Sequence, residues 1–410
     1  MIETTVAIFV LVYVGMVLGG FPFLQLDRTG VALLGAIALI GIDALDLEEA
    51  ARAIHLPTII LLFAFMVVSA QMRLGGFYDW VTRRIAELPL RPPLLLGALI
   101  FAVAALAAVF SNDVVCLAAA PVLVDACRSR RLHALPFLLA LACASNIGSA
   151  ATLIGNPQNM LIGETLHLSF AGYLLEAAAP VLLGLIATWG LILWCSSGRL
   201  VCEPAPAEPS RQDAPVLDRW QTAKGLAVAF VIVLCFLLTP WPREVVALTG
   251  AGFLLMSRKL HSRSMLGLVD WELLVLFMGL FVVNQALHKT GLPARLMADL
   301  DASGVPLHHP APLFAATFAL SNLVSNVPAV MLLLPGAQHP LAGPELALVS
   351  TLSGNLLIVG SIANIIVVDA AARQGVRITW RDHLRVGLPV TLATLAIAAG
   401  FLALRLRAWA

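Results

Sequence analysis

Ser111-Asn112-Asp113 and Ser325-Asn326-Val327 are one polar break met twice, once in each half of an otherwise apolar chain. A second break also occurs twice, as Thr152-Leu-Ile-Gly155-Asn156-Pro157-Gln158-Asn159 and as Leu357-Ile-Val-Gly360-Ser361-Ile362-Ala363-Asn364. Ser, Asn and Asp are preferred helix N-caps and Pro suits the first turn, so each break predicts that one helix ends and another begins. A helix N-terminus carries roughly half a positive charge and several unpaired N–H donors. Four such ends aimed at one place would hold an anion without help from arginine, and no arginine lies in these islands. Carbonyls freed at the same breaks, with Asn and Ser oxygens, suit a hard cation such as Na⁺. Gly148, Gly155, Gly354 and Gly360 let the backbone unwind and come close to a ligand.

Alternative readings exist for each residue. A single Ser or Asn in a membrane helix ordinarily packs or bonds a neighbouring helix; matched pairs in both halves are harder to explain that way. Asp113 is the one carboxylate in the islands. It is either a proton or cation site, as intramembrane acids generally are, or a plain N-cap. Asp369 reads as an interface cap, and Asp270 and Glu272 as solvated groups at the start of a span. Tyr78, Trp80 and Trp241 read as interface anchors. The six cysteines form no CxxC pair and read as small buried hydrophobes. His308 and His309 with His339 are a weak metal possibility; a wet loop explains them better. An intramembrane enzyme would show HExxH, GxSxG or paired intramembrane aspartates, and the chain has none of these, so it is not expected to be an enzyme.

The elements that must carry these breaks are membrane helices. The chain of 410 residues is 60% hydrophobic and 12% charged, with a mean hydropathy of +0.93. Its apolar runs are long enough to cross about 30 Å of hydrocarbon, and there are many. The net charge of +1 suggests no nucleic-acid partner. Val6 to Gly20 follows Glu3 rather than a basic stretch and reads as a retained first helix.

The halves align in order. Val31-Ala32-Leu33 with Gly35-Ala36 matches Val246-Ala247-Leu248 with Gly250-Ala251; Val67-Val68 and Gly76 match Val282-Val283 and Gly291; Pro121 matches Pro335. The expected fold class is an all-α polytopic membrane protein of two inverted repeats, residues 1–196 and 223–410. Each repeat holds five transmembrane helices, one of them broken, plus a re-entrant hairpin. The hairpins fall at about 94–127 and 311–336, their arms expected to be too short for comfortable full spans. The broken helices fall at about 134–163 and 346–370, and amphipathic interfacial helices follow Phe77 and Gly291. The segment 197–222, with Pro204, Pro206, Pro209 and Pro215, reads as a cytoplasmic linker. This layout puts most of the 25 lysines and arginines on one side, Y, and leaves Arg52, Arg243, Lys289, Arg295, Arg405 and Arg407 on the other, X. The positive-inside rule makes Y the cytoplasm, with both termini outside.

At the islands the chain resembles a known group. Phe110-Ser111-Asn112-Asp113, followed by Asn146-Ile-Gly148-Ser149-Ala-Ala-Thr152 and on through Asn159, is similar to the first-half signature of the ion transporter superfamily. The likeness is to its arsenite-permease, sodium/proton-antiporter and pink-eyed-dilution branch. Ser353-Gly354-Asn355 through Gly360-Ser361-Ile-Ala363-Asn364 is similar to the second-half signature. More distantly the chain resembles divalent-anion/sodium symporters and citrate transporters, whose two Ser-Asn-Thr tips line substrate and sodium sites. Here Asp113 and Val327 stand where the threonine would be. The resemblance implies secondary transport of a small carboxylate or inorganic oxyanion across a bacterial inner membrane, coupled to Na⁺ or H⁺, by a homodimer. Na⁺/H⁺ exchange through Asp113 and arsenite efflux are the alternatives. No cofactor is expected beyond the coupling ion, and the partners are the substrate and membrane lipid. The candidate contact residues are Ser111, Asn112, Asp113, Asn146, Thr152, Gly155, Asn156, Asn159, Ser325, Asn326, Asn355, Gly360, Ser361 and Asn364, with Na⁺ near Asn112, Asp113 and Asn326.

Overall fold

The computed structural model describes residues 2–21, 25–196, 200–201 and 217–409. Six of the described helices are long and apolar enough to cross a membrane: Leu56–Leu74, Pro92–Val109, Phe170–Cys195, Arg219–Leu238, Trp271–Lys289 and the window Trp380–Arg407. Shorter helices fill the positions between them, so the chain is an all-α polytopic membrane protein.

The first half runs Ile2–Leu18, Arg28–Gly41, Leu47–Ala53, Leu56–Leu74, Phe77–Ala86, Pro92–Val109, Asn112–Ser129, Ala134–Ser149, Pro157–Thr165 and Phe170–Cys195. The second runs Arg219–Leu238, Arg243–Leu255, Ser262–Leu266, Trp271–Lys289, Leu292–Ala302, Pro310–Val324, Asn326–Leu333, Ala342–Ser353, Ile362–Arg373 and Trp380–Trp409. The order corresponds element by element, including the short helices Leu47–Ala53 and Ser262–Leu266, which the apolar pattern does not announce. Both interfacial helices start from a left-handed glycine, Gly76 at φ 70° and Gly291 at φ 73°, a backbone that other residues adopt at a cost. Most of the expected linker, 197–199 and 202–216, lies outside the described residues, as do Arg199, Arg211 and Cys202. Its last residues already belong to helix Arg219–Leu238.

Packing exchanges partners between halves. Helix 28–41 lies on 271–289, and helix 243–255 lies on 56–74. Helix 112–129 packs on 362–373, and 326–333 packs on 157–165. Each of these contacts has a counterpart with the halves interchanged.

Contacts between connecting segments sort them into two groups. Arg130 donates to the carbonyls of Ala86 (2.6 Å), Leu88 (2.9 Å) and Leu90 (3.1 Å), which brings both ends of the first hairpin together. The His133 N–H donates to Leu200 (3.0 Å) and the Asp218 N–H to Gly75 (3.1 Å). Arg128 donates to the Gln374 carbonyl, and the Cys195 thiol to that of Arg385 (3.5 Å). These are segments that the sequence layout assigns to side Y. The other group is tied by Lys289 to Glu49 (2.6 Å), Arg243 to Glu164 (2.9 Å) and Arg405 to Glu176, in segments the layout assigns to side X.

Two expectations need correction. Each arm of the first hairpin has 18 residues, about 27 Å at 1.5 Å per residue, so neither is short. The second hairpin does have short arms, of 15 and 8 residues. Tyr78 is no interface anchor: it is 1% exposed, edge-on to Phe110 with ring centroids 5.9 Å apart. There it packs directly beneath the first hairpin tip. Trp80 and Trp241 are exposed.

Candidate functional site

Both hairpin tips and both breaks meet in one buried cluster of amides and hydroxyls. Helix 92–109 ends at Phe110, whose extended backbone turns the chain, and the second arm starts at Asn112 with Ser111 in the N-cap position. In the second hairpin Ser325 makes the same turn at φ 81°, in the positive-φ region few non-glycine residues occupy, and Asn326 opens the next helix. Helix 134–149 stops, and 157–165 restarts at Pro157 with the Asn156 side-chain Oδ1 accepting from the Asn159 N–H (2.9 Å). Helix 342–353 likewise stops, and 362–373 restarts after Ser361. The serines do not cap as their type suggests. Ser111, Ser325 and Ser361 sit at N-cap positions without a side-chain capping bond.

Asn146 is the hub. Its Oδ1 accepts from Asn112 Nδ2 (3.2 Å) and Ser361 Oγ (2.8 Å). Its Nδ2 donates to Asn355 Oδ1 (3.0 Å) and Asn364 Oδ1 (3.1 Å). One side chain of the first half thus ties the first tip to the second break. Thr351 does the reverse: its Oγ1 accepts from Asn156 Nδ2 (3.2 Å) and Gln158 Nε2 (3.1 Å) and donates to Asn159 Oδ1 (3.4 Å). Thr351 follows Asn146 at the same offset by which Ser361 follows Asn156 and Asn364 follows Asn159. That register is the signal by which sequence reading, which passed over Thr351, could have found it.

Asn159 and Asn364 repeat one geometry. Asn159 Nδ2 donates to the carbonyls of Ser149 (3.4 Å) and Thr152 (2.9 Å). Asn364 Nδ2 donates to those of Gly354 (2.8 Å) and Leu357 (3.0 Å). Each amide binds carbonyls that its own break has freed, which a break inside hydrocarbon requires. Both residues are staples of the breaks rather than free ligand contacts. Tyr173 braces the first break, donating to Ala150 (2.7 Å) and accepting from Asn159 Nδ2 (3.2 Å). Thr152 Oγ1 donates to Ala108 (2.5 Å), joining the break to the hairpin's first arm. The Gly155 carbonyl accepts from the Asn112 N–H (3.4 Å). A Cβ on Gly155 would sit 2.2 Å from the Ser149 carbonyl oxygen, so no larger residue fits there. Gly360 and Gly354 face each other, a Cβ on Gly360 reaching within 3.1 Å of the Gly354 oxygen.

Three polar atoms of the cluster remain unused. Asn112 Oδ1 and Asn326 Oδ1, at corresponding tip positions, are buried without a hydrogen-bond partner, and Asn355 Nδ2 is a buried donor in the same condition. The cluster therefore offers two carbonyl oxygens to a cation and a set of N–H donors and helix ends to an anion. Asp113 is not part of it. With Ser111, Arg73 and Asp270 it lines a separate cavity of about 50 Å³ walled by Met66, Ala70 and Leu273. Asp270, expected to be merely solvated, also caps Leu273 (2.9 Å). Asp369 pairs with Arg373 (2.8 Å) at the surface. His308 pairs with Asp301 (3.5 Å), not with His339. Among the described residues no disulfide forms and Cys116, Cys127 and Cys143 are buried.

A family model described as citrate transporter matches residues 9–353, most of the chain. The chain belongs to the citrate transporter family. It is 30% identical over 417 residues to an uncharacterized transporter of Mycobacterium tuberculosis (strain ATCC 25618 / H37Rv), covering 94% of this chain and 96% of that one. It is 29% identical over 456 residues to a silicon efflux transporter of Oryza sativa subsp. japonica, covering 92% of each. Its fold is similar to the crystal structure of the YdaH transporter of Alcanivorax borkumensis, with a TM-score of 0.58 over 98% of this chain and 97% of that one at 15% identity. This member of the citrate transporter family is a membrane transporter, not an enzyme.

Proposed function

We propose that the chain is a secondary active transporter that moves a small carboxylate or inorganic oxyanion, coupled to Na⁺ or H⁺, through the cluster where the hairpin tips meet the breaks. The observation that carries this reading is the pair of unpartnered oxygens on Asn112 and Asn326, set among four helix N-termini and free of fixed charge. Oxygen donors of this kind suit a hard cation, and the helix ends suit the anion that travels with it. The two groups of connecting segments support inverted halves, because the first helix of each half would then start from opposite sides. The excess of basic residues on side Y supports a cytoplasmic Y face with both termini outside, and a bacterial inner membrane as the setting. A homodimer is part of the same proposal. A relative named for silicon efflux extends the substrates worth screening to silicate.

A second reading is Na⁺/H⁺ exchange, favoured by the cavity that Asp113 shares with Asp270. Arsenite efflux is a third. A thermal-shift screen of purified protein against citrate, sulfate, phosphate, arsenite and silicate, with Na⁺ or K⁺, followed by proteoliposome flux, separates them. A ligand at 100 times its Kd should stabilise the folded state by about 2.7 kcal/mol. Labelled-anion uptake that needs a Na⁺ or pH gradient supports the first reading. Cation-driven pH change with no anion present supports the second and overturns the first.

A further inference from the structure

The loop that follows the second hairpin carries titratable groups that the matching stretch of the first half lacks. Its 8-residue second arm, Asn326–Leu333, is about 12 Å long. It carries Asn326 at one end and runs through the turn Leu334–Gly336 into a loop at the other. His339 lies in that loop, and its carbonyl accepts from the Ala342 N–H (2.9 Å). Glu345 lies in the first turn of helix 342–353. His339 Nε2 and Glu345 Oε2 are 3.4 Å apart, and the side chains are 9% and 1% exposed. Both ring nitrogens of His339 and Oε1 of Glu345 are buried without a hydrogen-bond partner. Three orphaned polar atoms on one buried pair inside a membrane protein call for a function.

The corresponding positions of the first half are Ala134 and Ala140. The first hairpin is held instead by Arg130, whose guanidinium bonds the three carbonyls before its first arm. Arginine stays charged at any physiological pH, so that clamp is permanent. The histidine–glutamate pair is not.

We infer that His339 and Glu345 form a one-proton dyad that sets the anchoring of the second hairpin, taking up a proton from side X and giving it back as the hairpin opens and closes. This rests on the transport reading above and names the proton as a coupling ion. A buried pair holding one proton is net neutral whichever residue carries it; with none it is −1, and with two it is +1. Removing an uncompensated charge from water costs several kcal/mol, so the closed hairpin holds one proton. Opening the anchor to water makes the charged forms affordable, and the proton leaves to water with no electron moved. The elements packed on helix 342–353 bring few other charges. Glu164 is paired with Arg243 and Glu176 with Arg405, while His383 bonds the Asn355 carbonyl (3.1 Å) at the far end of the helix. Helices 134–149, 310–324 and 326–333 carry none.

The test uses the full-length protein in proteoliposomes with citrate as the probe, comparing wild type, Glu345→Gln and His339→Gln. Two fluxes are measured: accumulation driven by a pH gradient, and citrate/citrate exchange with no gradient. Infrared pH-difference spectra are recorded on the same samples. Both variants should keep exchange near the wild-type rate and lose gradient-driven accumulation by about tenfold or more. A protonated-carboxyl band present in wild type should be missing from Glu345→Gln. Variants that accumulate citrate as wild type does under the pH gradient overturn the dyad. If wild-type protein does not move citrate at all, the infrared arm still decides: a pH-difference spectrum unchanged by Glu345→Gln overturns the dyad independently of the transport reading.

Discussion

Replacing Asn146 by alanine removes four hydrogen bonds at once, to Asn112, Ser361, Asn355 and Asn364. Interhelical bonds in membrane proteins contribute about 0.6 kcal/mol each on average. That sets a floor of about 2.4 kcal/mol for the four. The partners left behind push the figure higher, because a buried donor or acceptor stripped of its mate costs about 1–3 kcal/mol. Part of that cost is recovered where the stranded groups re-pair among themselves, as Ser361 Oγ can with a stranded Asn oxygen. We expect a loss of about 3–4 kcal/mol, read as the free energy of unfolding by denaturant titration of detergent-solubilised protein. The informative measurement is the double-mutant cycle of Asn146→Ala with Ser361→Ala, which isolates one bond between the halves. The 2.8 Å contact predicts a coupling of about 0.5–2 kcal/mol. Additive single effects, with coupling within error of zero, would refute the claim that Asn146 joins the first half to the second break.

Other consequences are as direct. Gly155→Ala places a Cβ 2.2 Å from the Ser149 oxygen and should cost about 3 kcal/mol or abolish folding, seen as lost monodisperse protein on size-exclusion chromatography. Glu164→Ala strands Arg243, whose side chain is 15% exposed, and should destabilise by about 3 kcal/mol; the double variant Glu164→Ala with Arg243→Leu should recover most of it. Glu49 lies in the short helix 47–53, where a hydrogen bond from Lys289, then the Asp46 backbone N–H, holds its carboxyl below the ordinary range. A depressed folded-state value stabilises above the unfolded carboxylate pKa of about 4.3 and is lost as pH falls through the folded value. Lys289→Gln should therefore lower the melting temperature slightly at pH 7, where the contribution is fully present, change it little in acid, and so weaken the acid-side decline. Wild-type and variant melting curves that coincide in shape between pH 7 and pH 4 would contradict this.

Much of the architecture was legible because hydrocarbon makes backbone breaks costly and therefore visible. A Ser-Asn or Gly-Asn-Pro inside an apolar run has few structural uses, and repetition in register marked the breaks as pairs. The basic residues carried the grouping of loops for a similar reason, since charge cannot be hidden in lipid. What the chain did not disclose was the direction of side chains. Asn159 and Asn364 read in the sequence as contact residues, yet their amides turn back onto the carbonyls of their own breaks. Asp113 adjoins Asn112 in sequence, but one residue of helix rotates its carboxylate into another cavity. Tyr78 carries the amphipathic signature of an anchor and is buried instead, because a hairpin tip needs a packed floor. Glu345 leaves no mark in the apolar pattern, because hydropathy resumes only at Leu346.

The central claim is that Asn112 and Asn326, one from each half, face a single transported ligand. Substrate flux through Asn112→Ala and Asn326→Ala in proteoliposomes, with melting temperature as the folding control, tests it most directly. Each variant should melt within a few degrees of wild type and move the substrate at least about tenfold more slowly, the loss of roughly 1.4 kcal/mol of binding or barrier energy. Either variant transporting at the wild-type rate would contradict the account.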